Sequence, residues 1–148
     1  LKTFLWAAAL ALAAPATPAL AQTRAQQLAT QPLTIATARG AQRFQVEVAR
    51  TSEQQAIGLM FRKTLAADRG MVFPMQPARF ASFWMKNTLI PLDLLFIRAD
   101  GTVSSIAANA TPLSLAPIDS IEPVAAVLEL KGGEAARRGI KPGDKVGW

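Results

Sequence analysis

FWMKNTLIPLDLLFIRADGTVSSIA, residues 83–107, decides how this chain folds. The apolar run Leu92 to Arg98 stops at Ala99-Asp100-Gly101-Thr102 and resumes from Val103 to Ala107, and Asp-Gly between two apolar runs is a strong hairpin signal. If the first run is a strand, Leu92, Leu94 and Phe96 share one face while Asp93, Leu95 and Ile97 share the other. Asp93 then has apolar neighbours on its own face, where a carboxylate is costly unless paired or hydrogen-bonded. The nearest donors in sequence are Lys86, Asn87 and Thr88, across the Leu89-Ile90-Pro91 bend.

The same reading extends toward both ends. Leu33, Ile35 and Thr37 alternate with their neighbours, Arg39-Gly40 supplies a turn, and Phe44, Val46 and Val48 resume a period of two, which predicts a hairpin. Thr51-Ser52, with Gln54 and Gln55 three residues on, predicts a capped short helix that falters near Gly58. Met71 to Phe73 and Phe80 to Met85 read as short strands separated by Pro74 and Pro77, and Thr111 to Pro123 as a long surface loop. Val124 to Leu130 reads as a strand, Gly133 to Arg138 as a short helix closed by Gly139, and Pro142-Gly143 as a type II turn before Val146. The fold class expected is mainly β: a compact sandwich or barrel of about seven short strands with one or two short helices. Parallel βαβ architecture is disfavoured because crossover helices are missing.

Residues 1–21 carry one basic side chain, Lys2, then an apolar run from Thr3 to Ala14, then Ala19-Leu20-Ala21 as a small-x-small cleavage signal. This predicts a signal peptide cleaved after Ala21, a periplasmic or secreted protein, and no permanent membrane span in the mature chain. Residues 22–32 are polar and aperiodic and are expected to form a flexible leader, with residues 33–148 a single β domain. The chain has no Cys and no His. No disulfide supports the fold, and Ser-His-Asp and Cys-His nucleophilic machinery and imidazole zinc sites are all excluded. The formal net charge of +6 rests largely on arginines scattered singly, with only Arg137-Arg138 adjacent, and lacks the clustered patch of a nucleic-acid footprint, so nucleic acid is not expected as a partner.

Two readings of the polar cluster stay open. In one, Asp93 ties down the 89–91 bend. In the other, Lys86 and Asp93 line a pocket beside Trp84, where a charge pair orients a ligand and the indole stacks on it. Arg62, following Gly58-Leu59-Met60-Phe61, is either a cation complementing a helix end or a clamp for a carboxylate or phosphate. Met60, Met71, Met75 and Met85 are spread through apolar sequence and read as core residues, so no metal or cofactor is expected. Asp119, Glu122 and Glu129 are weak candidates for paired catalytic carboxylates, and alternation places Glu129 on a solvent-facing side of its strand.

GLMFR (58–62), GMVF (70–73), FWMKNTLIPLDLLFI (83–97), NATPLS (109–114), VLEL (127–130) and GIKPGD (139–144) together closely resemble the bacterial and archaeal family called domain of unknown function 192. The resemblance covers nearly all of residues 42–148. It implies a compact, mostly β domain, often exported, with no established biochemical role and no catalytic residues to carry over. The family's recurring polar positions match Arg62, Trp84, Lys86, Asn87, Thr88 and Asp93, which makes these the candidate ligand-binding residues. The resulting expectation is a non-catalytic module that binds a small molecule, glycan or envelope protein. Its competitors are an enzyme using Lys86 and Asp93 for acid–base work and a purely structural interaction module.

Overall fold

Alternating apolar residues build the first hairpin in the computed structural model, which describes residues 24–148. Strands β1 (Thr30–Thr37) and β2 (Gly40–Val48) pair from Thr30↔Glu47 to Thr37↔Gly40, with Gly40 at φ 96°. Leu33, Ile35, Phe44 and Val46 are buried on one face. The first strand begins three residues before Leu33, and Gln26 and Leu28 are hydrogen-bonded to the domain through Gln54 and Glu47. The signal peptide expected over residues 1–21 lies outside the described residues.

Helix α1 (Ser52–Ile57) starts in a capping box: Thr51 Oγ1 accepts from the Gln54 amide at 3.1 Å, and Gln54 Oε1 accepts from the Thr51 amide at 3.1 Å. The helix lies in the crossover between β2 and β3 (Arg69–Arg79), which pair in parallel from Gln45↔Arg69 to Val48↔Val72. The architecture therefore contains one parallel pair, which one short helix and a loop suffice to connect. The remaining elements are β4 (Ser82–Phe83), β5 (Leu92–Ile97), β6 (Val103–Ala110), β7 (Ile118–Asp119), β8 (Val124–Lys131), α2 (Glu134–Arg138) and β9 (Lys145–Gly147). Strand β3 runs on through Pro74 and Pro77, with its register against β8 shifting between Pro74 and Arg79. Prolines are tolerated at such irregularities because no ladder donor is needed there. Of the Phe80–Met85 run only Ser82–Phe83 is a strand, and it pairs with β7 inside the expected 111–123 loop.

Seven strands form one mixed sheet in the order β6-β5-β8-β3-β2-β1-β9. Its two edges meet: the Val103 amide donates to the Asp144 carbonyl at 2.8 Å, the Val146 amide donates to the Gly101 carbonyl at 2.9 Å, and Thr102 bridges Lys145. The sheet thus closes on itself as a barrel at this point. Inside lies one core, with Leu33, Ile35, Phe44, Val46, Val72, Leu95, Ile97, Leu128 and Leu130 among its members. A second core covers the outer face of β3, β5 and β8, where Met71, Phe73, Leu94, Phe96 and Val127 pack under Leu59, Leu65, Ala81 and Met85. Every residue of β5 is buried, which explains its near-continuous apolar run. Each large side chain so enclosed contributes about 1.5–3 kcal/mol, and these two cores carry a fold without disulfides.

Asp93 is fully buried on the inner face of β5. Its Oδ1 accepts from the amides of Asn109 at 2.8 Å and Gly133 at 3.0 Å, and its Oδ2 accepts from the Ala135 amide at 2.9 Å. The carboxylate caps α2, which has no side-chain cap of its own, and ties β6 to that helix. Asp93→Asn replaces one acceptor oxygen by a donor group facing an amide and should cost about 2–4 kcal/mol. Urea unfolding of the variant checks this, and an unchanged midpoint would contradict it.

Candidate functional site

Five of the six candidate residues come from the two segments that roof the outer core. Gly58 ends α1 with φ 50°, and the chain passes through Met60 and Phe61 to Arg62. The Phe61 amide donates to the Asn87 carbonyl at 2.8 Å, and Asn87 Nδ2 contacts Met60 Sδ at 3.9 Å. Phe61 and Asn87 both take positive φ, 65° and 54°. An aromatic residue in that region is an outlier that the surrounding bonds must hold in place. Thr88 is buried and donates to the Lys86 carbonyl at 3.2 Å, while its own carbonyl accepts from the Leu113 amide at 3.1 Å. Lys86 Nζ sits 5.0 Å from the Trp84 ring centroid, and Trp84 is about half exposed.

Beneath this roof is a cavity of about 340 Å³ with Met60, Phe73, Phe83, Trp84, Thr88 and Glu129 among its lining residues. Asp93 does not reach it. Leu92, Leu94 and Phe96 face this side of the sheet with Met85, whereas Asp93 is turned to the other side and bonded to α2. The donors that sequence proximity suggested for Asp93 are therefore separated from it by the sheet, and backbone amides take their place.

Glu129 was expected to face solvent, but it is 5% exposed. The polar face assigned to it is the outer face of β8, which the second core covers. Val127 shares that face, and this apolar neighbour was the signal available in the sequence. Register places Glu47, Met71, Glu129 and Leu94 in one lateral row across β2, β3, β8 and β5. With strands spaced about 4.8 Å apart, the two glutamates stand roughly 10 Å from each other at the backbone. They are satisfied differently. Glu47 takes a two-pronged bond from Arg62, at 2.7 Å to Oε1 and 2.8 Å to Oε2, and also accepts from the Leu28 amide at 2.7 Å. Arg62 Nη2 adds a bond to the Gln26 carbonyl at 2.7 Å. Arg62 is thus a carboxylate clamp whose carboxylate belongs to the chain itself, and its Nε is buried without a partner.

The other carboxylates do not join Glu129. Asp119 is exposed on β7. Glu122 is held by Ser104 and Arg98, whose hydrogen bonds keep its carboxyl below the usual range. Among the described residues no group of acidic side chains could hold a metal ion. None of their helices is long and apolar enough to cross a membrane.

Residues 34–148 match the family DUF192, described as uncharacterized ACR. No curated protein matches the chain. Among solved structures, a protein of unknown function from Novosphingobium aromaticivorans DSM 12444 is 47% identical, with a TM-score of 0.81 over 93% of this chain and 94% of its own. A second, from Sinorhizobium meliloti 1021 and named a candidate transcription regulator, is 45% identical, with a TM-score of 0.79 over 82% of this chain and 95% of its own.

Burial pushes the Glu129 carboxyl up to about 8, against a smaller downward pull from the Arg62 charge. Desolvation wins because the Arg62 charge is already engaged by Glu47. Below that pH the cavity floor is a neutral acid with an O–H to donate. The folded state therefore holds this proton more tightly than the unfolded chain, whose carboxyl has its ordinary value of 4.5. The resulting stability is complete below that value and is lost as pH rises to about 8. Glu129→Gln should match the parent near pH 4 and exceed it above pH 8 by on the order of a few kcal/mol. Thermal unfolding across pH checks this, and parallel curves for the two proteins would contradict it.

Proposed function

The chain belongs to the DUF192 family, and from that premise we propose that it is a non-catalytic binding module which holds a small ligand in the cavity above Glu129. One observation carries the reading: a cavity of about 340 Å³ with mainly apolar walls has a buried carboxyl at its floor, and among the described residues that carboxyl has no hydrogen-bond partner. Ligand sites are typically of this size and combine apolar walls with a few oriented polar groups. Trp84 supplies a stacking surface at the rim, Lys86 supports that ring, and Asn87 and Thr88 fix the roof. Arg62 positions the back wall by locking the loop after α1 to β2.

The protein is proposed to act after export, in the periplasm or outside the cell, as the pattern Lys2, Thr3–Ala14 and Ala19-Leu20-Ala21 suggests. The name carried by the Sinorhizobium relative does not move this reading. Helices α1 and α2 have six and five residues, too short for the recognition-helix docking of a helix-turn-helix.

The test is thermal unfolding against envelope sugars, peptidoglycan fragments, lipids and organic acids. A ligand at about 100 times its dissociation constant adds about 2.7 kcal/mol of stability. The shift should disappear in Met60→Trp, which fills the cavity, and mass spectrometry should recover the ligand unchanged. A shift that survives the filled cavity, or a ligand that is converted, would overturn the reading.

A further inference from the structure

Around the mouth of the Glu129 cavity the surface divides into an apolar side and a cationic side. Phe80 is 67% exposed and Trp84 48% exposed, and both line the cavity. Leu115, 66% exposed, joins Trp84 in lining a neighbouring depression. Apolar side chains this open, gathered at one opening, mark a contact surface for something apolar.

On the other side a second cavity of about 430 Å³ adjoins the first, and Gln55 and Arg79 line both. Arg50 and Ser52 line the second cavity as well. The Gln55 side-chain amide is already committed, donating to the carbonyls of Ala49 at 3.1 Å and Pro74 at 2.9 Å. The guanidinium groups of Arg50 and Arg79 form no ion pair among the described residues, unlike those of Arg62, Arg69, Arg98, Arg137 and Arg138. Two arginines without ion-pair partners line this one concave surface, and guanidinium groups suit phosphate or carboxylate oxygens. Lys86, over the Trp84 ring, adds positive charge on the apolar side of the mouth, away from the two arginines.

We propose that the ligand is an anionic amphiphile, with its apolar chain passing between Phe80 and Trp84 into the Glu129 cavity and its phosphate or carboxylate head held by Arg79 and Arg50. This rests on the ligand-binding reading of the same cavity. The floor suits such a molecule, because a neutral Glu129 presents no negative charge to it and donates a hydrogen bond to an ester or hydroxyl oxygen near the chain. A cationic amphiphile is disfavoured by Arg50 and Arg79 where its head would sit, and an uncharged one leaves both arginines unused.

Titration calorimetry of the purified protein with decyl phosphate, decanol and decyltrimethylammonium, each below its micelle concentration, tests the assignment. Decyl phosphate should bind at least tenfold more tightly than decanol, and Arg50→Ala combined with Arg79→Ala should erase that difference while leaving decanol affinity unchanged. Both arginines are exposed, so the double variant should keep the parent's circular dichroism. Equal binding of decanol and decyl phosphate, abolished in Met60→Trp, would overturn the anionic class and leave the cavity reading intact. Failure of all three compounds would overturn the amphiphile, and the cavity reading would still answer to the wider library. Arginine-dependent sedimentation with phosphatidylglycerol vesicles but not phosphatidylcholine vesicles supports the assignment with a bilayer as the source. Binding of monomeric decyl phosphate without sedimentation supports it with a dissolved amphiphile as the source.

Discussion

Strands β5 and β8 lie side by side near the middle of the sheet with both faces buried, and the rest of the molecule follows from that constraint. A strand enclosed on both sides cannot use solvent to satisfy a polar side chain, so each such residue needs its own solution. Asp93 and Glu129 are the two acids placed under this demand, and register makes them near neighbours: Asp93 lies opposite Leu130, and Glu129 opposite Leu94. They point to opposite faces and are handled in opposite ways. Asp93 accepts three backbone amides and becomes part of the framework. Glu129 finds no donor among the described residues, and desolvation favours its neutral form up to about pH 8. The first arrangement builds the fold, and the second leaves unused chemistry at the bottom of a cavity.

The outer core makes that cavity possible. Its lid is two largely irregular segments, 58–65 and 81–90, joined by single contacts such as the Phe61 amide to the Asn87 carbonyl and Asn87 Nδ2 to Met60 Sδ, with no continuous ladder between them. A roof of loops leaves gaps that a helix or a second sheet would close. The Glu47–Arg62 pair stabilises one end of this roof and also fastens Gln26 and Leu28, so a single buried ion pair orders both the N-terminal approach and the cavity wall. Such a pair contributes little net stability relative to an apolar replacement, yet breaking it leaves a buried charge. It therefore serves to define position.

Much of this was legible in the residues. The two hairpins, the Thr51–Gln54 capping box, the Gly139 helix end and the mainly β class follow from patterns that act over a few residues, and they stand in the structure as read. The need for Asp93 to be satisfied was also legible, because Leu95 and Ile97 share its face. Its partners were not. Asn109, Gly133 and Ala135 are 16 to 42 residues away, and they donate through the backbone, which sequence does not distinguish from one residue to the next. Glu129 was misplaced for a related reason: alternation says that two faces differ, and it does not say that both are covered.

Local sequence by itself determined which segments pair as the two hairpins, where the helices start and stop, and which family the chain resembles. Tertiary structure alone decided that β9 returns to close the sheet against the β5–β6 turn, that Lys86 and Asp93 stand on opposite sides of it, and that Arg62 spends its charge on Glu47. The physical reason is one of range. Turn chemistry and periodicity act between residues adjacent in the chain. Desolvation, ion pairing and the opening of a cavity depend on what the rest of the chain lays over a side chain once it has folded.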